Sequence, residues 1–410
     1  MSVTAKVFLV LTGLALFFLL ATVEPAGVNP HESIREQATN WWEPFILKPR
    51  EIIRAVPVMG TGTAAAAVDI PKLTLEEPAP KVKGIYLTSW KAGDRQFVEK
   101  LVHLMKKTGL NAVVLDVKDD TGSVSYPSGV TLAREIGAAI RKYQPAKLLE
   151  LFQSNRIYPI ARIVVFKDPL LANARNDLAV KSSKGGLWQD RNGLRWVDPY
   201  QKTVWEYNVE LAKEAARLGF KEIQFDYVRF TSDGPIKECL YPAADNRAKA
   251  EVIRDFLSYA CQELSGLGVK ISADVFGLTC SAKDDMGIGQ VFADIAGVVD
   301  VICPMVYPSH YYPGTYQLSN PDLSPYETVL QSLTDAKQKV AQVNNKKVII
   351  RPWLQDFSLQ SVYKAKHLKA QVKAVYDAGL EEWIFWNPSN KYEAKKYRFN
   401  KKINPKEDEE

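Results

Sequence analysis

Two aspartates interrupt apolar runs of the sequence. Asp226 sits in Gln224-Phe225-Asp226-Tyr227-Val228-Arg229-Phe230, and Asp274 in Ile271-Ser272-Ala273-Asp274-Val275-Phe276-Gly277. A carboxylate inside such a run is costly unless it is paired or used. Two carboxyl groups a short distance apart are the equipment for glycoside hydrolysis. One protonates the leaving oxygen, and the other attacks the anomeric carbon or activates water. Burial and mutual repulsion push their pKa values apart, which separates the two roles. Asp226 and Asp274 are therefore the candidate catalytic residues.

Further polar and aromatic groups collect near the ends of similar runs. Asp116 and Lys118 alternate in Val113-Val114-Leu115-Asp116-Val117-Lys118, and Arg162 interrupts Tyr158–Phe166. These three either form a buried ion-pair network or face a substrate, where Lys118 and Arg162 orient the carboxylates or bind an anionic sugar. Arg229 follows Asp226 closely. Tyr307 and His310 can hydrogen-bond sugar hydroxyls or tune the acid. Trp353 and Trp386 present flat rings that stack on sugars or simply pack the lip of the fold. Other chemistries lack their signatures. The four histidines are His31, His103, His310 and His367, with no H-E-x-x-H motif or zinc-type spacing. No G-x-S-x-G elbow is present. Asp116, Asp119 and Asp120 lack the spacing of a calcium loop. Neither a metal nor a cofactor is expected.

The elements that carry these residues repeat. Eight strand candidates are Val82–Thr88, Ala112–Lys118, Tyr158–Phe166, Glu222–Phe230, Lys270–Phe276, Asp300–Tyr307, Val348–Leu354 and Glu382–Trp386. Amphipathic stretches such as Arg95–Lys107, Lys202–Leu218, Arg247–Leu264 and Ala365–Ala378 lie between them, the alternation of parallel βα units. Gly109, Gly219 and Gly379 close three of the helices. A doubly wound sheet normally carries a Gly-rich phosphate turn after its first strand. Here that strand runs into Leu87-Thr88-Ser89-Trp90. The pattern predicts an α/β fold, a single (β/α)8 TIM barrel, with functional residues at the C-terminal ends of its strands.

The barrel is expected over 81–395, followed by a charged tail, 396–410. Residues 1–23 contain an uncharged run, Val7–Val23, long enough for about 26 Å of helix, and read as a membrane anchor or signal peptide. The Pro/Ala-rich stretch 24–80 reads as a linker. Both readings of the N-terminus put the barrel outside the cytoplasm, membrane-anchored or secreted. The chain has 53 Lys+Arg and 47 Asp+Glu, a net charge of +6. Residues 1–80 contribute −2, so the remainder carries +8. That surplus is spread out, which suits approach to an anionic polymer better than binding of nucleic acid. No obligate protein partner is evident. Cys239 and Cys280 fall in neighbouring loops of such a barrel and are candidates for a disulfide.

Taken jointly, several segments resemble a known family, the glycoside hydrolase domains formerly designated DUF4015. They include Val82-Lys83-Gly84-Ile85-Tyr86-Leu87-Thr88, Leu115-Asp116-Val117-Lys118-Asp119-Asp120-Thr121-Gly122 and Gln224-Phe225-Asp226-Tyr227-Val228-Arg229-Phe230. Ala273-Asp274-Val275-Phe276-Gly277 and Cys303-Pro304-Met305-Val306-Tyr307-Pro308-Ser309-His310 continue the match, which spans roughly 82–395. The resemblance implies a TIM barrel akin to α-amylase-like glycosidases. In that group a strand-four Asp is the nucleophile and a strand-five carboxylic acid, often Glu, is the proton donor. Asp226 matches the first position. Asp274 falls near the second but is one bond shorter than Glu. The expected function is hydrolysis of an extracellular or cell-envelope polysaccharide. The alternative is a non-catalytic glycan-binding or scaffold protein on a degenerate barrel.

Overall fold

The computed structural model describes residues 80–345 and 347–399. The anchor, nearly all of the linker and the tail beyond residue 399 lie outside the described residues. Among those described, no helix is long and apolar enough to cross a membrane.

Eight parallel strands close into a barrel. They are β1 (Lys83–Leu87), β2 (Ala112–Lys118), β3 (Tyr158–Val164), β4 (Glu222–Asp226), β5 (Lys270–Phe276), β6 (Val301–Val306), β7 and β8 (Trp383–Trp386). The seventh strand is split into Ile349–Ile350 and Trp353–Gln355. Pro352, which has no N–H to donate, lies in the break. Both pieces pair with β6, and the second also pairs with β8. The ring closes where Lys83 pairs with Trp383.

Helices run back outside the strands. They are α1 (Arg95–Thr108), α2 (Pro145–Ser154), α3 (Lys202–Leu218), α4 (Lys249–Leu264), α5 (Phe292–Ala296), α6 (Pro325–Val340) and α7 (Ala365–Asp377). Asp94 caps α1 through a bond from the Phe97 N–H, and Gly109 ends it at φ 77°. Gly219 ends α3 at φ 111°, as expected where the chain turns left-handed toward a strand.

Side chains alternate between two cores. Ile85, Leu115, Ile163, Phe225 and Val275 point outward and pack under the helices with residues such as Leu101, Phe152 and Phe256. Ala112, Val114, Ile160, Val301, Cys303 and Ile384 point inward and fill the barrel. This inner core also holds charge. Arg351 donates from Nη1 to Glu222 Oε1 at 2.7 Å and from Nε to Glu382 Oε2 at 2.8 Å. All three residues are buried. Two carboxylates outweigh the burial penalty on the Arg351 guanidinium and hold its pKa above the ordinary value.

Candidate active site

The same alternation that sends Glu222 and Gln224 inward brings Asp226 to the C-terminal mouth of β4. Neighbouring strands do likewise. Asp116 pairs with Arg162, Val164 with Asp226, and Phe225 with Ala273. Asp226 and Asp274 therefore stand one step beyond a register pair, on adjacent strands about 4.8 Å apart.

Arg162 organises the acidic side of the mouth. Its Nε and Nη2 donate to Asp226 Oδ2 at 2.9 and 2.6 Å, and its Nη1 donates to Asp116 Oδ1 at 2.7 Å. The Tyr86 hydroxyl donates to the other Asp116 oxygen at 2.6 Å. The Tyr227 N–H donates to Asp226 Oδ1 at 2.6 Å. Tyr227 adopts φ 49°, a left-handed backbone unusual for an aromatic residue. Burial opposes the Arg162 charge, but Asp226 and Asp116 overcome it and hold the guanidinium well above its ordinary range. Asp116 is raised, chiefly by burial, with Arg162 and Tyr86 opposing.

Asp274 has a different setting. Its Oδ1 accepts from the Trp353 indole N–H at 2.7 Å, across the barrel. No arginine or lysine lies within ion-pair distance of it among the described residues. Burial first, and then the Asp226 charge, push its carboxyl well above the usual carboxylate range. The two candidate catalytic groups thus differ in kind. Asp226 is held by three hydrogen bonds to N–H donors, two of them from a cation, whereas Asp274 is favoured in the protonated form.

A cleft of about 900 Å³, open solvent included, lies over these groups. Asp226, Asp274, Arg162, Arg229, Tyr307, His310, Trp353 and Trp386 all line it. Tyr307 packs against Trp386 with ring centroids 5.1 Å apart, and Phe357 meets Trp386 edge-on at 5.3 Å. Burial pushes the His310 imidazole down to about 4, so it is neutral at neutral pH. Trp353 is almost fully buried and serves as a hydrogen-bond donor rather than an open stacking platform.

Two expected substrate contacts are not in the cleft. The register between β2 and β3 shifts after Asp116, so that Lys118 opposes Ile163. This irregularity breaks the two-residue alternation and turns Lys118 out of the barrel interior. Lys118 is fully buried behind the sheet, 2.7 Å from Asp168 and 2.8 Å from Asn208 of α3. Asp116 lies behind the cleft wall and meets it through Arg162 and Tyr86. The expected Asp116–Lys118–Arg162 network is therefore an Asp116–Arg162–Asp226 network. Tyr86, Tyr227, Phe276, Met305 and Tyr311 also line the cleft, although the sequence did not single them out. Tyr86 was legible: it falls on the inward phase of β1. The candidate disulfide is absent, since all four cysteines are free, and the Cys239 thiol instead lies 3.3 Å from the Thr231 hydroxyl.

Residues 84–392 match a family model described as "putative glycosyl hydrolase domain", DUF4015. The chain belongs to this family. Its limits lie within three residues of the 82–395 span read from the sequence motifs. A hypothetical protein from Ruminiclostridium thermocellum is 43% identical, covering 50% of this chain and 98% of its own, with a TM-score of 0.44. The PgaB (BpsB) glycoside hydrolase domain from Bordetella bronchiseptica is 12% identical, covers 78% and 98%, and has a TM-score of 0.58. Alpha-L-fucosidase isoenzyme 2 from Paenibacillus thiaminolyticus is 11% identical, covers 74% and 44%, and has a TM-score of 0.51. The latter two likenesses concern the fold alone. No curated protein matches the chain. Among the described residues of this DUF4015 domain, no group of three or more His, Cys, Asp or Glu could hold a metal ion.

Proposed function

We propose that the protein is a glycosidase that cleaves a polysaccharide outside the cytoplasm, with Asp274 as general acid and Asp226 as nucleophile or charge stabiliser. The observation that carries this reading is the unequal environment of the two carboxyl groups. Asp274, buried and next to the Asp226 charge, retains a proton for the glycosidic oxygen. Asp226 faces the same cleft, and Arg162 together with the Tyr227 N–H stabilises its charge. Transfer of the Asp274 proton lets the C1–O bond break. Asp226 then meets the positive charge that develops at C1. Water finally supplies hydroxyl to C1 and a proton to Asp274.

The extracytoplasmic location rests on the uncharged run Val7–Val23, and the choice of a polymer rests on the open cleft and its aromatic edge. The test is release of reducing ends from a panel of polysaccharides by the wild type and by Asp226→Asn. The variant is expected to lose activity by about 10⁴-fold while its thermal melting stays within a few degrees of wild type. Undiminished hydrolysis by Asp226→Asn would remove Asp226 from the mechanism. Tight glycan binding by the wild type with no product from any substrate would favour the binding-protein alternative.

A further inference from the structure

Arg229 is buried beside the cleft, without a counter-ion among the described residues. Its guanidinium carbon lies 4.8 Å from the ring centre of Trp196, 4.9 Å from Tyr227 and 4.7 Å from Phe276. These rings surround the guanidinium and supply only the modest attraction of π faces. The Nη1 atom donates to the Phe230 carbonyl at 3.1 Å and to Ser232 Oγ at 2.7 Å. Nε and Nη2 have no acceptor among the described residues, although Arg229 lines the cleft. Among the described residues no carboxylate lies within 4 Å of it, whereas Arg162 and Arg351 each hold two. Asp226, Asp190 and Asp233 act on it only from farther away. Burial accordingly lowers its pKa, as expected for a cation lacking a close anion.

The free donors are informative in kind. Nε–H and Nη2–H share one edge of the guanidinium plane, the edge that grips a carboxylate through two parallel hydrogen bonds. The backbone around Arg229 is fixed. The Val228 carbonyl accepts from Gln290 Nε2 at 3.3 Å, and the Phe230 N–H donates to the Ile288 carbonyl at 2.8 Å. A second cation stands behind the same wall, with Lys167 Nζ 5.1 Å from the centre of the Tyr227 ring. Its own partners, Asp120 and Asp190, are at 3.5 and 3.8 Å. The nearby aspartates oppose a doubly charged ligand more than a singly charged one, which favours a carboxylate over a phosphate.

We infer that Arg229 forms a subsite for the carboxylate of an acidic sugar, so that the substrate carries a hexuronate or a similar carboxylated residue beside the bond that is cut. This deepens the glycosidase reading and rests on it for the position of that bond. It also relocates the anion contact expected from the sequence: Arg162 is saturated by Asp116 and Asp226, and Lys118 lies behind the sheet.

The experiment compares three matched ligands with the full chain: hexuronate oligosaccharides, the same chains after reduction of carboxyl to hydroxymethyl, and the corresponding 6-phosphates. Binding is read by calorimetry and cleavage by reducing ends. The acidic chains are expected to bind at least tenfold more tightly than their reduced counterparts. Arg229→Gln is expected to erase that preference, weakening the acidic chains at least tenfold more than the reduced ones. Arg229→Lys, which keeps the charge but loses the two-bond edge, is expected to restore only part of it. Equal binding of acidic and reduced chains by the wild type overturns the subsite, as does tighter binding of the phosphates or an equal loss for both ligands in Arg229→Gln. The wild-type comparison decides the matter even if the variants fail to fold. A preference for acidic chains with no cleavage would sustain the subsite and overturn the glycosidase reading. Cleavage without any acidic preference would do the reverse.

Discussion

The barrel contains two clusters built on the same plan, one arginine between two carboxylates, at different depths. The deep cluster joins Arg351 to Glu222 and Glu382 inside the closed barrel. The upper cluster joins Arg162 to Asp116 and Asp226 at the mouth. Every member of the deep cluster is buried, and its geometry ties β4, β7 and β8 together across the interior. The upper cluster differs by one neighbour. Asp274, on the next strand, adds a third carboxyl group with no cation in contact among the described residues, and burial together with the nearby Asp226 raises its pKa well above the usual carboxylate range. Contact with the cation is what differs between the two regions. Where both carboxylates hold the guanidinium, the result is a brace. In the proposed mechanism the further carboxyl, within electrostatic reach of Asp226 but without a cation in contact, is the proton donor.

Removing the surplus carboxyl is the strongest way to break this contrast. Asp274→Asn should cut hydrolysis of sugar–sugar bonds by about 10²–10⁴-fold, the usual worth of a general acid. The loss should be far smaller for aryl glycosides, whose leaving groups need no proton, and steady-state kinetics on both substrates checks this. Next in size is the deep brace. Arg351→Met leaves Glu222 and Glu382 buried without their cation and should cost about 3–5 kcal/mol of stability, read from urea unfolding. Arg162→Met should reverse the balance, with a smaller loss of stability because the mouth admits water and a loss of activity of about 100-fold or more. The finest probe is Trp353→Phe. The indole N–H stabilises the charged form of Asp274, so its removal should raise the Asp274 pKa further. In the proposed mechanism activity requires the protonated acid and falls as pH rises through that pKa. The alkaline limb of kcat/KM should therefore move upward, by about one pH unit or less. A downward shift would contradict the assigned role of the bond.

Much of this arrangement could be read before the structure was known, because the rules that generate it are local. Strand boundaries followed from β-branched and aromatic runs, and β2, β5 and the start of α3 fall where the pattern put them. The i, i+2 alternation brought Asp226, Asp274, Arg162 and Trp386 to one mouth. It would also have delivered Tyr86 had it been applied to β1. The same rule failed at Lys118, since a register irregularity between β2 and β3 leaves no mark in composition. Contacts across the barrel were beyond local reasoning. Trp353 and Asp274 are 79 residues apart, and Arg351 and Glu222 are 129 apart. Nor does the sequence reveal that Arg229 lacks a counter-ion, because that follows from three rings contributed by a loop and by two strand ends.

In the proposed mechanism Asp274 keeps its proton because it is buried beside the Asp226 charge. Carboxyl ¹³C NMR titration of Asp274, in the wild type and in Asp226→Asn, tests it directly. The expected result is a wild-type midpoint well above the usual carboxylate range, and a lower midpoint once the neighbouring charge is removed. An ordinary carboxylate midpoint for Asp274 that does not respond to Asp226→Asn would contradict it.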